Sequence, residues 1–185
     1  MISLACLHSQ IIAFPFHIMD LKFMMRNAHS LRNKYNEFVS FLESHSIDVA
    51  FVSETWLESK DNFSVSNFTI YRADRSHGGV ALLVKSSLLY SSYSRINFDY
   101  AEAVSITLIL NNGSVNITSL YISPAASRQQ SNVFFDKVLN RPGSHLVAGD
   151  WNWNHSHFSH KGIDLYNLID LIDLTEATCL LLTLL

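Results

Sequence analysis

Short apolar runs bounded by polar or turn-forming residues recur along this chain, and two of them end on an acid. Ile47-Asp48-Val49-Ala50-Phe51-Val52-Ser53 leads into Glu54-Thr55-Trp56-Leu57, and Ser144-His145-Leu146-Val147-Ala148 leads into Gly149-Asp150-Trp151-Asn152. Continuous runs of this length read as strands buried on both faces. Leu21-Lys22-Phe23-Met24-Met25 predicts an earlier strand closed by Arg26-Asn27. Ser30 is the expected N-cap of a helix whose apolar positions Tyr35, Phe38, Val39, Phe41 and Leu42 recur at helical spacing. With the strand ending at Glu54, this makes a βαβ-like opening.

Further along, residues 68–71 and 80–84 predict two strands around the flexible pair Gly78-Gly79. Residues 101–110 and 114–122 form the clearest hairpin, because Asn111-Asn112-Gly113 tolerates positive φ between β-branched runs. Pro124 stops the second strand, residues 132–139 predict a helix, and Ile163, Leu165, Leu168, Ile169, Ile172 and Leu174 predict another. The apolar segment from Cys179 to Leu185 is too short to cross a bilayer and reads as part of a core element. The expected architecture is one mixed α/β domain over 21–185, preceded by an extension at 1–20 that lies outside it.

Composition narrows the function classes. A chain of 185 residues, 48% hydrophobic, can bury a substantial core, and a mean hydropathy of +0.14 excludes disorder as the dominant state. A net charge of −3 is unusual for a free-standing nucleic-acid binder, which normally carries a basic face, so composition alone points to no nucleic acid. The two cysteines, Cys6 and Cys179, offer neither a disulfide framework nor zinc-ligand spacing, so a reducing, intracellular compartment is favoured. His8, Gln10, Pro15 and His17 interrupt the apolar N-terminal stretch, which argues against a secretory signal. The Asn-x-Ser/Thr sequons at Asn62, Asn67, Asn112, Asn116 and Asn154 are read as chance.

Ligands in α/β sheets bind beyond the carboxyl ends of strands. Glu54 and Asp150, each at such an end, are therefore expected to meet at one rim and favour a hard divalent cation such as Mg²⁺ beside a phosphate.

Asn27-Ala28-His29-Ser30-Leu31-Arg32-Asn33-Lys34, Glu54-Thr55-Trp56-Leu57, Gly78-Gly79, Tyr121 with Pro124, and Gly149-Asp150-Trp151-Asn152 follow in a telling order. That order resembles the endonuclease domain of LINE-type (non-LTR) retrotransposons, within the endonuclease/exonuclease/phosphatase superfamily. Apurinic/apyrimidinic endonucleases, sphingomyelinases and inositol polyphosphate phosphatases share the scaffold. The resemblance runs roughly over 21–177 and implies an α+β fold, a four-layer α/β/β/α sandwich. It implies Mg²⁺, with Mn²⁺ as substitute, and DNA as partner, with no membrane and no protein partner. By the same resemblance Glu54 binds the metal, with Asn27 beside it. Tyr121 contacts the scissile phosphate, Asp150 orients or deprotonates the attacking water, and Asn152 holds that water.

The resemblance also exposes a departure. The family continues to an aspartate and a Ser-Asp-His motif, whereas Asp164, Asp170 and Asp173 here stand next to no histidine. The expectation is an incomplete sandwich with little or no catalysis, so whether this chain is an enzyme stays open. A non-catalytic remnant that binds nucleic acid weakly is the main competing reading, and a phosphatase-like member of the superfamily is a third. Plainer roles are expected elsewhere. Glu102 is read as structural, and Trp56 and Trp151 as packing or loop support in preference to stacking on bases, with Trp153 open. Arg72 and Arg75 are read as either solvated or touching a phosphate backbone, with Arg75 the candidate substrate-binding residue. His155, His157 and His160 are read as a solvated loop.

Overall fold

A computed structural model describes residues 21–111, 113–152 and 179–183. The extension expected at 1–20, the helix expected at 163–174, the histidines at 155, 157 and 160, and Trp153 lie outside them. The described elements run β1 (Phe23–Asn27), α1 (Tyr35–Ser44), β2 (Val49–Ser53), β3 (Phe68–Ala73), β4 (Val80–Lys85), β5 (Tyr90–Phe98), β6 (Ala101–Leu110), β7 (Gly113–Ile122), α2 (Arg128–Leu139), β8 (Ser144–Asp150) and β9 (Cys179–Thr183). One sheet has the order β1-β2-β4-β3 and the other β5-β6-β7-β8-β9. The βαβ opening is present, with β1 and β2 parallel neighbours. Pairs β2/β4, β3/β4, β5/β6 and β6/β7 are antiparallel, while β7/β8 and β8/β9 are parallel.

Strand periodicity explains how the layers stack. Successive side chains point to opposite faces, so positions two apart share a face. Val49 and Phe51 of β2 and Val80, Leu82 and Val84 of β4 meet Val104, Ile106 and Leu108 of β6 and Ile117 of β7 between the sheets. The alternate residues Ala50, Val52, Ala81 and Leu83 face outward against Phe38 and Leu42 of α1. On the far side Ala103, Leu120 and Val147 pack against Phe134, Phe135 and Val138 of α2, with Trp151. The result is a four-layer α/β/β/α sandwich of mixed α/β class. Each fully buried Leu, Ile or Phe contributes roughly 1.5–3 kcal/mol, and double-sided burial of both sheets collects many such terms.

Three local features differ from the sequence reading. Ser30 does not cap α1: it sits at φ 76° and its Oγ accepts from the Arg32 N–H, while the helix begins without a side-chain cap after Lys34. The segment between Asn27 and Lys34 is instead strapped beside β2, Ala28 N–H donating to Ser53 O and Leu31 N–H to Thr55 O. The second helix starts a turn earlier than 132, because Ser127 and Gln130 form a reciprocal capping box. Strand β5 was not foreseen. It is an edge strand with mostly exposed side chains, so its Ser- and Tyr-rich sequence carries no buried alternation.

Gly149 shows how tightly β7 and β8 are joined. A Cβ there would stand 1.9 Å from the Leu120 carbonyl oxygen, its register partner in the neighbouring strand. Gly149→Ala is expected to lower stability by about 3 kcal/mol or prevent folding, since backbone cannot yield as a side chain does. Urea unfolding checks this, and a wild-type midpoint would refute it.

Candidate active site

The inner faces of the strands turn polar at one end of the sandwich. Phe23 and Met25 are followed two positions on by Asn27, Val49 and Phe51 by Ser53, Leu146 and Ala148 by Asp150, and Ile117 by Ser119 and Tyr121. In antiparallel β6 the equivalent position is Glu102, register partner of Tyr121. The parity that builds the core thus delivers these polar residues to a common rim.

Asn27 joins the two sheets there. Its Nδ2 donates to Glu54 Oε1 at 2.9 Å and to Asp150 Oδ2 at 2.7 Å, while its Oδ1 accepts from the His29 N–H at 3.1 Å. The backbone N–H of His29 fixes which end of the amide is which, so the donor end faces both acids. Burial pushes the Asp150 carboxyl above the ordinary aspartate range. Hydrogen bonds from the Asn152 N–H and Asn27 pull it back, and the charge of Glu54 pushes it up again. Asn152, at φ 50°, donates its N–H to Asp150 Oδ1 at 2.9 Å and its Nδ2 to Ile122 O at 2.8 Å, which ties the acid-bearing turn to the end of β7.

The loop carrying Glu54 is held in an unusual backbone. Glu54 and Trp56 both adopt positive φ, 50° and 52°, as do His29 and Ser30 on the adjoining segment. Such conformations cost on the order of 1–3 kcal/mol each and persist only where surroundings enforce them. Here Thr55 N–H donates to Gly79 O, Trp56 N–H to Gly78 O and Ser30 N–H to Glu54 O.

Sequence reasoning missed one neighbour of the acids: His29 Nδ1 lies 2.6 Å from Glu54 Oε2. Its position two residues after Asn27 was the available signal.

Tyr121 lies against the glycine turn; a Cβ on Gly78 would come within 3.2 Å of its ring. Burial raises its phenol to about 12, helped by the charges of Glu54, Asp150 and Glu102, so it stays protonated and able to donate. Arg75 Nε lies 2.7 Å from Glu102 Oε1, bent away from hydrogen-bond geometry, and its Nη2 donates to Phe98 O at 2.9 Å. Arg72 is likewise engaged, with Asp74 and the carbonyls of Glu58 and Asp61. The structure therefore brings Asn27, Glu54, Tyr121, Asp150 and Asn152 to one rim, and Arg75 reaches it through Glu102.

The donor set fits a small hard cation. Two carboxylate oxygens, one from each sheet, converge on a single nitrogen that carries partial positive charge. Mg²⁺ binds through one or two carboxylates with water and substrate phosphate completing its shell. Among the described residues, no group of three or more His, Cys, Asp or Glu is placed to hold a metal ion.

The model of the endonuclease/exonuclease/phosphatase family matches residues 25–179. The chain belongs to that family. Among its relatives, a probable RNA-directed DNA polymerase from transposon X-element of Drosophila melanogaster is 26% identical over 162 residues, 82% of this chain and 18% of that protein. The RNA-directed DNA polymerase from mobile element jockey of the same fly is 27% identical over 141 residues, 74% of this chain and 15% of that protein. The chain thus spans under a fifth of the length of these curated relatives. In structure it is similar to the endonuclease domain of TRAS1, a telomere-specific non-LTR retrotransposon, with TM-score 0.66 and 13% identity over 82% of this chain and 71% of that one. An endonuclease/exonuclease/phosphatase family protein from Leptotrichia buccalis gives TM-score 0.59 at 13% identity, over 80% and 73% of the two chains. D. rerio TDP2 complexed with single strand DNA product gives 0.56 at 15%, over 80% and 64%. These likenesses bear on the fold, and the family resemblance read from the motifs holds.

Glu102 offers a test of the buried rim. Fully buried, it is raised from 4.5 to about 7 by desolvation, against the pull of Arg75 and the Gly79 N–H. The folded protein therefore holds this proton where the unfolded chain has released it. The associated stability is complete below about pH 4.5 and is lost as pH rises through 7. The melting-temperature gap between wild type and Glu102→Gln is expected to shift against wild type across that window. Parallel pH profiles would contradict it.

Proposed function

We propose that this chain is a retrotransposon-type endonuclease domain that hydrolyses DNA phosphodiesters with Mg²⁺, or Mn²⁺ in its place. The observation that carries the reading is the meeting of Glu54 and Asp150, from different sheets, on the Asn27 amide. Glu54 is the residue to hold the cation, and Asn27 would join it through its Oδ1, which requires the amide to turn from the orientation in which Nδ2 bridges the two acids. When bound, such an ion neutralises charge developing on the phosphate oxygens.

The chain's own groups supply the rest. Asp150 is partly desolvated and steered by Asn27 and the Asn152 N–H, so it can orient a water and accept its proton. Tyr121, kept protonated, can donate to a phosphate oxygen. Asn152 fixes the turn that aims Asp150 and keeps Oδ1 as an acceptor for the water. Arg75, anchored to Glu102 and Phe98 O, stands behind Tyr121 and supports binding of the strand from there. The family's Ser-Asp-His motif occurs nowhere in the 185 residues. Losing one such electrostatic group lowers rate about 10²–10³-fold, so turnover by this chain alone is proposed to be slow or absent. A remnant that binds DNA weakly without cutting is the second reading, favoured by the net charge of −3.

Two measurements test the proposal. Mg²⁺ is expected to raise the melting temperature of the wild type and not of Glu54→Gln, which should itself melt higher without metal because one of two facing charges is gone. A Mg²⁺-induced shift that survives in Glu54→Gln would sink the metal assignment. Supercoiled plasmid is expected to be nicked slowly and only with Mg²⁺, and Asp150→Asn and Glu54→Gln should lower the rate by a further 10²-fold or so. Complete absence of nicking, with the Mg²⁺ shift intact, would favour the non-catalytic reading.

A further inference from the structure

Trp56 is a large aromatic side chain for which the core has no use. Its neighbours Thr55 and Leu57 are buried, whereas Trp56 is half-buried and belongs to none of the three hydrophobic clusters among the described residues. Trp151, by contrast, is fully buried and packs on Phe135. The expectation that both tryptophans pack or support loops therefore separates into two cases. Positive φ at Trp56 makes the contrast sharper, because a bulky residue adopts that backbone only under constraint.

The constraint presents the indole at the acid rim. The exposed ring of His29, from the segment after β1, meets it edge-on, with centroids 6.4 Å apart at 74°. The exposed ring of His77, from the β3–β4 turn, meets it at 5.5 Å and 73°. His29 in turn touches Glu54, and the His77 turn pairs with the Trp56 backbone through Gly78. Three aromatic rings from three loops thus gather within one residue's reach of the carboxylate centre. Both pairs are T-shaped, so neither histidine stacks flat on the indole.

We propose that Trp56, braced by His29 and His77, is a stacking platform for an unpaired nucleobase adjoining the phosphate held at the Glu54–Asp150 centre. The inference rests on the phosphodiester reading above. A base and its own phosphate are one sugar apart, and a single side chain, His29, touches both Glu54 and Trp56. Every nucleobase has a π-face, so an aromatic platform selects unstacked bases with little sequence preference. A fully paired duplex keeps its bases inside the stack and offers this platform nothing.

The test uses the full chain, with Ca²⁺ replacing Mg²⁺ to hold off cleavage. Fluorescein-labelled oligothymidylate and an abasic oligomer of equal length, identical in phosphate charge, serve as probes for anisotropy. Wild type is expected to bind oligothymidylate more tightly than the abasic oligomer. Trp56→Ala should lose roughly tenfold to a hundredfold on oligothymidylate and almost nothing on the abasic oligomer. Trp56→Phe should retain most of the preference, and Trp56→Leu, which keeps apolar volume without a π-face, should lose it. Equal loss on both probes, or no loss on either, overturns the platform. Wild type that binds both probes equally also overturns it while leaving the phosphodiester reading standing. Wild type that binds neither removes both.

Discussion

One amide between two carboxylates governs this molecule. Asn27 reaches from the first sheet to Glu54 beside it and to Asp150 on the second sheet. Like charges held this close in a partly dry crevice are unfavourable, and the upward push on Asp150 expresses that tension. A hydrogen-bonding amide relieves part of it, and a divalent cation relieves more. The same contact that closes the sandwich at this end therefore sets two carboxylates side by side. Structure and chemistry here share a single point.

Much of the surrounding backbone serves to maintain that point. Glu54 and Trp56 hold left-handed conformations that an isolated chain would abandon, and the carbonyls of Gly78 and Gly79 secure them. Gly79 is needed because a Cβ there would come within 2.8 Å of Thr55 Oγ1. Behind the turn, buried Glu102 is paired with Arg75 and faces the strand position of Tyr121. Arg75 thus acts on the rim from behind it.

The family assignment, the transposon-encoded relatives and the chemistry of the rim point the same way. A phosphodiester needs a neutralising centre, an oriented water and a donor to a phosphate oxygen, and the rim offers groups for each. The aromatic trio around Trp56 adds a separate kind of recognition, directed at bases instead of phosphates. Charge alone gives little guidance, since the chain's net charge is only −3. Local geometry must supply what a basic face would otherwise supply.

The chain's pattern by itself determined the strands leading to Glu54 and Asp150, the β6–β7 hairpin, and the family, because each depends on neighbouring residues. Continuous apolar runs declare strands buried on both faces wherever they occur. Edge strand β5 stayed hidden because exposure leaves no alternation to read. Ser30 misled because its motif position resembles a cap, yet backbone bonds to the Glu54 segment claim that stretch first. His29 against Glu54, Arg75 against Glu102 and the half-exposed indole of Trp56 were decided only by tertiary structure. Those contacts join residues from separate loops, and strand parity tells which face a side chain takes but not which distant loop will meet it there.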